Sequence, residues 1–182
     1  MIKRGTGGFL HPDKVLEQLN IYDNIKAADF GCGRGYFSIP LAKAIPNGTI
    51  YSFDVLEEAL QAVRSKAEME KINNIKTIRA NLEVVGNSGL KDESMDLVVL
   101  ANILYQSKRK EEIIREAKRV LKKQGRIILI EWMASTSLIP KGSGWQMISI
   151  DKAKDMAGKQ GLKLVQELGK IDVQHYGLIF MK

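Results

Sequence analysis

A glycine-rich segment carries the strongest chemical signal in the sequence. Residues 27–37 read AADFGCGRGYF, an apolar strand that carries Asp29 near its end and continues into Gly31, Gly33 and Gly35 at alternate positions. Because glycine lacks a Cβ atom, such a turn can take unusual backbone dihedrals and lets a ligand approach the main chain closely. We therefore expect a flat or polar ligand to bind on this loop.

The spacing of these glycines distinguishes two kinds of nucleotide-type cofactor. The dinucleotide fingerprint G-x-G-x-x-G needs glycine at its sixth position, so that a pyrophosphate can sit on the N-terminus of the following helix. Here the sixth position is Tyr36, and Phe37 follows it. Two bulky rings argue against a pyrophosphate and therefore against a nicotinamide enzyme. What is left is a G-x-G-x-G loop that follows an acid.

Polar residues also end the next three predicted strands. Asp54 ends the apolar strand 48–54, about 20 residues beyond the glycine loop, where an acid can hold a ribose through its hydroxyl groups. Asn81 lies near the end of the third predicted strand, and Asn102 ends the fourth, residues 95–102. Because the carboxyl ends of parallel strands form one edge of a sheet, we expect these side chains to face one ligand.

In this order, the glycine loop and the strand ends resemble class I (Rossmann-like) S-adenosylmethionine-dependent methyltransferases. The resemblance is to the small ubiquinone-biosynthesis and arsenite types, and it covers about residues 16–132. It implies S-adenosylmethionine as the cofactor. The cofactor-binding residues that the resemblance implies, or that flank them, are Asp29, Gly31, Cys32, Gly33, Gly35, Asp54, Val55, Asn81, Leu82, Asn102 and Ile103.

The resemblance also assigns a part of the cofactor to each strand end. Asp29 and the Gly31 backbone would hold the methionine amino group, Asp54 the ribose, Asn81 and the Leu82 backbone the adenine, and Asn102 and Ile103 the sulfonium end. At Asn81 the family usually carries an acid. The asparagine carbonyl can still accept a hydrogen bond from the adenine amine, while its amide group adds donors that an acid lacks. We expect Cys32 to fill a narrow space in the loop, as small buried cysteines do.

Methyl transfer requires few dedicated catalytic residues, because the protein chiefly aligns the acceptor and excludes water. A base helps only if the acceptor has a proton to lose, and the candidates are Glu131, His175 and Tyr105. An acid bonded to loop backbone explains Glu131 equally well, and a packing or capping role explains His175 better. Tyr105 can instead form the wall of an acceptor pocket with Trp132 and Trp145.

The hydrophobic pattern alternates strands and helices with short connections, which predicts an α/β fold. We expect a doubly wound, mostly parallel sheet of seven strands with an antiparallel last strand and helices on both faces. Residues 1–182 are predicted to form a single domain, with residues 1–11 as an N-terminal arm that is mobile without cofactor. Other predicted bounds are helices 56–71, 110–123 and 152–160, and strands 126–131, 162–168 and 176–181.

Composition sets limits on partners and location. The single Cys32 excludes an internal disulfide and a cysteine-rich metal site, so we predict no metal. It also cannot supply the set of cysteines that arsenite chemistry needs. The first residues lack the apolar core of a signal peptide, and no apolar run reaches the ~20 residues of a membrane span. We therefore expect a soluble, cytoplasmic protein without a membrane partner.

Three classes of function stay open from the sequence. The leading one is methyl transfer from S-adenosylmethionine to a small molecule. The net charge of +7 and the basic residues between 108 and 123 leave an RNA or protein methyltransferase as an alternative. That stretch also contains Glu111, Glu112 and Glu116, and it lacks the aromatic residues on which single-stranded RNA stacks; a solvated helix face explains it better. The third class is a non-catalytic interaction domain.

Overall fold

The protein is described here from a computed structural model, which covers residues 10–133 and 145–182, without the side chains of residues 169 and 170. The predicted N-terminal arm therefore lies almost entirely outside the described residues. The helices are α1 (Pro12–Glu17), α2 (Ser38–Ala44), α3 (Glu57–Met69), α4 (Lys110–Val120) and α5 (Ile150–Lys159), with a 3₁₀ turn at Leu104–Gln106. The strands are β1 (Lys26–Phe30), β2 (Thr49–Asp54), β3 (Ile75–Arg79), β4 (Met95–Ala101), β5 (Leu121–Trp132), β6 (Lys163–Lys170) and β7 (His175–Met181).

These strands form one sheet in the order β3-β2-β1-β4-β5-β7-β6. The pairs among β1 to β5 are parallel, while β7 runs antiparallel to both of its neighbours, β5 and β6. The predicted doubly wound sheet with an antiparallel last strand is confirmed. The strand order reverses between β1 and β4, and such a switch point opens a crevice at the carboxyl ends of the strands, where ligands bind.

Apolar side chains cover both faces of the central strands. Along β4, Val98 and Leu100 belong to one buried cluster while Leu97 and Val99 belong to the other, because successive strand residues point to opposite faces. Helices α4 and α5 pack on the first cluster, and α1 and α2 pack on the second. The prediction of helices on both faces is therefore confirmed. Within the described ranges, each helix is too short or too polar to cross a membrane.

The end of α4 differs from the prediction. The helix ends at Val120 instead of residue 123, and Leu121 takes the extended backbone of β5. Met95 of β4 pairs with Leu121, but Leu97 already pairs with Arg126, so β5 contains a bulge of several residues. The helical pattern of the sequence continues through the lysines of this bulge, whereas pairing with β4 pulls the chain into the sheet.

A second difference concerns Glu116, which the sequence placed on a solvated helix face. This side chain is fully buried. It accepts hydrogen bonds from the Ser88 hydroxyl at 2.5 Å and the Gly86 backbone N–H at 2.7 Å, and it pairs with Arg119 at 2.8 Å. Arg119 also contacts Asp92 at 2.5 Å. The charged residues of α4 thus bind the long connection between β3 and β4, which forms part of the site described below.

These contacts also set the protonation of Glu116. Burial alone would raise the pKa of this carboxyl, but the hydrogen bonds from Arg119, Ser88 and the Gly86 backbone outweigh it and lower the pKa to about 2. The carboxylate is therefore ionised in the folded chain over the whole physiological range, which is what its pairing with Arg119 requires.

We predict that Glu116→Gln lowers the free energy of unfolding by about 3 kcal/mol, because Arg119 loses its buried partner. Glu112→Gln is the matched control. It removes a glutamate from the same helix and the same i,i+3 spacing, but its pair with Arg109 is long, at 3.8 Å, and Arg109 is exposed. That change should cost no more than about 0.5 kcal/mol. Chemical denaturation measures both, and equal small effects would contradict the role given to Glu116.

Candidate active site

The glycine loop leaves β1 through a backbone that only glycine adopts without strain. Gly31, Gly33 and Gly35 have φ angles of 74°, 50° and 80°, in the left-handed region. The Gly31 N–H donates to the carbonyl of Phe53 at 2.9 Å, which ties the loop to β2. A Cβ atom on Gly31 would lie only 2.6 Å from Cδ1 of Ile103. The loop and the segment after β4 therefore approach each other more closely than any other residue type would allow.

Asp54 connects this loop to the start of α3. Its Oδ2 accepts a hydrogen bond from the Gly33 N–H at 3.0 Å, and its Oδ1 accepts one from the Leu56 N–H at 3.0 Å. The carboxylate is thus held between two backbone segments. Because each carboxylate oxygen has more than one acceptor position, both can still accept hydrogen bonds from the hydroxyl groups of a ligand.

A cavity of about 820 Å³ lies beside the loop at the carboxyl ends of the strands. This volume is in the usual range for a small-molecule or cofactor site. A Cβ on Gly33, which lines this cavity, would meet no atom within 4 Å, so open space lies there for a ligand. Of the sequence-predicted residues, Gly31, Gly33, Asp54, Val55, Asn81, Leu82, Asn102 and Ile103 line this cavity.

The walls combine apolar surfaces with a few polar groups. Val55 remains 50% exposed beside the cavity, whereas Leu82 and Ile103 are buried in its wall. Asn81 also lines it, with its side-chain oxygen accepting a hydrogen bond from the Glu83 backbone at 3.0 Å. This oxygen therefore already accepts a hydrogen bond from the turn that follows β3. An apolar flat group with polar edges fits such a surface.

A smaller cavity of about 190 Å³ adjoins the first around the glycine loop. Asp29 and Cys32, which the sequence placed in the cofactor site, line only this smaller cavity, whereas Arg34 and Asn102 line both. Gly35 lines neither. A Cβ there would lie 3.2 Å from Cγ2 of Val63, so this glycine allows α3 to pack against the loop.

The carboxyl of Asp29 is buried and belongs to a chain of hydroxyl groups. Its Oδ2 accepts a hydrogen bond from the Ser38 hydroxyl at 2.6 Å, and the Ser38 oxygen accepts one from Ser52 at 2.8 Å. Burial raises the pKa of Asp29 to about 6, against the opposing effect of its hydrogen bonds from Ser38. Asp29 thus anchors the first turn of α2 and also borders the smaller cavity.

Cys32 is buried next to Asp29. Burial raises the pKa of its thiol well above the ordinary value, and the charges of Asp29 and Asp54 raise it further. The thiolate, not the thiol, is the nucleophilic form of cysteine. Cys32 therefore stays a neutral thiol, which is consistent with the space-filling role predicted for it.

The three candidate bases, Glu131, His175 and Tyr105, line neither of these cavities. Glu131 is fully buried, and its Oε1 accepts a hydrogen bond from the Leu104 N–H at 2.7 Å. Its Oε2 has no partner among the residues that the structure describes. Burial raises the pKa of Glu131 to about 8, although the hydrogen bond from the Leu104 backbone and the charge of Lys110 oppose this. The carboxyl is therefore mostly protonated at neutral pH.

His175 and Tyr105 each pack against a tryptophan ring. The His175 ring is buried and packs on the Trp132 ring with 4.0 Å between centroids. Its two nitrogens contact Asp172 at 2.9 Å and Asn102 at 3.1 Å. Tyr105 packs edge-on against Trp145, with 5.2 Å between ring centroids, and burial raises the pKa of its hydroxyl. The aromatic residues predicted to form an acceptor wall are thus close to the carboxyl end of β5.

Several cavity residues were not found from the sequence. Ser107 donates a hydrogen bond to Glu83 Oε1 at 2.5 Å, which joins the segments after β4 and β3 across one side of the cavity. The position of Arg34 inside the glycine loop could have indicated it. Glu58 lies in the first turn of α3, and the others lie in the 3₁₀ turn or in connections, where no periodic pattern indicates which side chain faces a ligand. The missed polar or charged residues are Arg34, Glu58, Glu83, Gln106 and Ser107.

Most of the chain is similar in sequence to known methyltransferases. Residues 21–167 match a family model described as Methyltransferase domain. A demethylmenaquinone methyltransferase from Geobacillus stearothermophilus is 28% identical over 64% of this chain and 49% of its own length. A probable cobalt-precorrin-6B C(15)-methyltransferase (decarboxylating) from Methanosarcina acetivorans is 32% identical over 50% of this chain and 51% of its own length. The chain thus spans about half the length of these curated relatives.

Solved structures show the same fold at low sequence identity. A SAM dependent methyltransferase from Aquifex aeolicus superposes with a TM-score of 0.83 at 19% identity, over 94% of this chain and 89% of its own. The [4+2]-cyclase SpnF superposes with a TM-score of 0.79 at 14% identity, over 94% and 80%. Since the family model covers residues 21–167, the chain belongs to the methyltransferase domain family.

Proposed function

We propose that this chain transfers a methyl group from S-adenosylmethionine to a small-molecule acceptor. One observation carries the cofactor part of this proposal. Most of the residues assigned to the cofactor from sequence meet on the wall of a single 820 Å³ cavity, although they come from four separate strand ends. The cavity lies at the switch point of the sheet, where this class of fold binds its ligands.

The residues present fit the cofactor. Asp54 can accept hydrogen bonds from the ribose hydroxyl groups, and Val55, Leu82 and Ile103 offer apolar walls to the adenine. Gly33 leaves space where any side chain would project. When bound, S-adenosylmethionine supplies a methyl group already activated by a positively charged sulfur. The protein's part is then to hold and align both reactants and to exclude water.

The smaller cavity suits the amino acid end of the same cofactor. It is bordered by the acid Asp29 and by Arg34, which lies where the two cavities meet. The Arg34 guanidinium forms no ion pair within the described part of the chain, and its side chain is exposed. A guanidinium can bind a carboxylate through two parallel hydrogen bonds. We therefore assign the cofactor carboxylate to Arg34 and its amine to the side of Asp29.

The size and surroundings of the site support a small acceptor. Tyr105, Trp132 and Trp145 place aromatic surfaces beside the carboxyl end of β5, and such rings bind planar or apolar molecules. The relatives named above are named for a demethylmenaquinone and a cobalt-precorrin, which are both small molecules. Glu131 acts in this proposal as an anchor for the turn after β4, because its oxygen binds the Leu104 N–H and lies outside both cavities.

An RNA acceptor is the second candidate. A 23S rRNA (uracil(1939)-C(5))-methyltransferase from Aliivibrio fischeri is 32% identical over 71 residues, which are 39% of this chain and 16% of that protein. Several cations of α4 and its flank are however already engaged: Lys118 binds the Gln160 carbonyl, Arg119 pairs with Glu116, and Lys122 pairs with Asp96 at 2.7 Å. Fewer basic side chains are therefore available to bind the phosphates of an RNA, which favours the small-molecule acceptor.

We predict that the chain binds S-adenosylhomocysteine and that Asp54→Asn weakens this binding about tenfold or more, because one acceptor oxygen of the ribose site is lost. Isothermal calorimetry measures both. Asp96→Asn is the control, since Asp96 lies at the opposite end of β4 and binds Lys122 and the Lys26 N–H. No binding by the unmodified chain at high-micromolar ligand would overturn the proposed function.

We predict that Arg34→Met weakens the binding of S-adenosylhomocysteine more than the binding of 5′-methylthioadenosine, which has the same nucleoside but no carboxylate. Methionine keeps the aliphatic length of the arginine and removes the guanidinium. We expect about a tenfold loss for the first ligand and less than about twofold for the second, measured by calorimetry. Equal losses for the two ligands would place the carboxylate elsewhere.

Glu131→Gln tests the anchoring role through its dependence on pH. Burial raises the pKa of Glu131 from 4.5 to about 8, so the folded chain holds a proton that the unfolded chain releases between these values. The contribution of Glu131 to the free energy of unfolding of the unmodified chain therefore falls as the pH rises, by about 1.4 kcal/mol per pH unit at most. Glutamine does not titrate and can still accept from Leu104.

The stability of the Glu131→Gln variant relative to the unmodified chain is thus expected to improve steadily from about pH 5 to about pH 8. Urea denaturation at several pH values measures the difference. Parallel stability curves for the two proteins would mean that Glu131 is ionised in the folded chain. That result would contradict the role of a protonated Glu131 in holding the turn after β4.

A further inference from the structure

A buried polar chain joins the turn before β7 to the end of β4. Asp172 Oδ2 lies 2.9 Å from His175 Nδ1, and His175 Nε2 lies 3.1 Å from Asn102 Nδ2. The side chains of Asp172 and His175 are each only 5% exposed, and the Trp132 ring packs on the imidazole. This series of hydrogen bonds ends at Asn102, which borders both cavities. Neither Asp172 nor His175 lines either cavity.

The carboxylate fixes the direction of each hydrogen bond in this chain. Asp172 Oδ1 accepts from the backbone N–H groups of Gln174 at 2.6 Å and His175 at 2.8 Å, so Oδ2 accepts from the His175 ring. With Nδ1–H donating to Asp172, a neutral ring has its free lone pair on Nε2, and the Asn102 Nδ2 atom that faces Nε2 at 3.1 Å agrees with this arrangement. The Asn102 NH₂ group donates to Nε2. The amide of Asn102 is thereby held with its nitrogen toward His175 and its oxygen on the other side.

That oxygen lacks a partner. Asn102 Oδ1 is buried and makes no hydrogen bond with the described residues. The Asn102 backbone is also held in an uncommon conformation, with φ at 53°, while its N–H donates to the Ile130 carbonyl at 2.8 Å. A buried acceptor without a donor destabilises the folded protein. A ligand N–H group that reaches Asn102 at the junction of the two cavities removes this cost.

We propose that Asp172 and His175 are positioning residues that turn the Asn102 amide oxygen toward the amine of the cofactor's amino acid end. This inference rests on the proposed function. The smaller cavity already has the acid Asp29 and the cation Arg34 at its border, so a zwitterion fits there, and the Asn102 oxygen adds an acceptor for the ammonium group. In this proposal His175 does not contact the ligand. It acts through Asn102, which agrees with its buried position outside both cavities.

The variant Asp172→Asn separates this role from a purely structural one. Asparagine keeps an oxygen for the N–H groups of Gln174 and His175, but presents NH₂ instead of a carboxylate oxygen to the ring. His175 Nδ1 must then accept, so the ring proton moves to Nε2 and donates to the Asn102 oxygen. The Asn102 amide turns over and offers its NH₂ group to the cofactor amine, donor against donor.

Two measurements follow this inversion. Long-range ¹⁵N–¹H NMR on a chain with only two histidines should show the His175 proton on Nδ1 in the unmodified protein and on Nε2 in the variant. By calorimetry, S-adenosylhomocysteine should bind the variant about tenfold more weakly, whereas 5′-methylthioadenosine, which lacks the amine, should change by less than about twofold. Asp155→Asn, the same charge change on an exposed residue of α5, should alter neither.

The outcomes are distinct. A moved proton with unchanged S-adenosylhomocysteine affinity overturns the proposal, as does a proton that stays on Nδ1 or an equal loss for both ligands. If Asp172→Asn does not fold, His175→Phe replaces it, because phenylalanine keeps a ring against Trp132 and removes both nitrogens; the same selective loss is expected. If the unmodified chain binds neither nucleoside, the proposed function fails instead, and the NMR result still tests the hydrogen-bonded chain.

Discussion

The position of the whole site depends on the carboxylate of Asp54. One of its oxygens binds the Gly33 N–H and the other binds the Leu56 N–H, so a single side chain fixes the glycine loop relative to the start of α3. The opposite wall is set by close packing, because Gly31 leaves room for the Ile103 side chain where a Cβ would collide with it. These two contacts hold the residues around the cavity in place, and Asp54 itself lines it.

Two buried glutamates hold the connections that complete the cavity, and they do so in opposite protonation states. Glu116 is ionised, since Arg119 and two further donors surround it, and it fastens the segment between β3 and β4. No cation among residues 10–133 and 145–182 forms an ion pair with Glu131, so burial keeps it mostly neutral while it binds the turn after β4. Local partners, rather than depth alone, decide which form a buried carboxyl takes.

Features with a local signature were predictable from the sequence. The glycine spacing, the polar strand ends and the alternation of strands and helices predicted the doubly wound, mostly parallel sheet and most of the cavity wall. The predicted end of α4 was wrong because lysines occur in helices as readily as in a bulge. The pairing of Leu121 with Met95 draws these residues into the sheet instead. The burial of Glu116 and the link from His175 to Asn102 depend on residues that are 28 and 73 positions apart, which no periodicity reveals.

A crystal structure of the chain with S-adenosylhomocysteine would show directly whether Asp54 holds the nucleoside. We expect the ribose hydroxyl groups within hydrogen-bonding distance of the Asp54 carboxylate and the adenine against Val55 and Leu82 in the 820 Å³ cavity. We also expect the amino acid end in the smaller cavity, beside Arg34 and Asn102. A nucleoside bound away from Asp54, or an amino acid end that points out of the smaller cavity, would contradict the account.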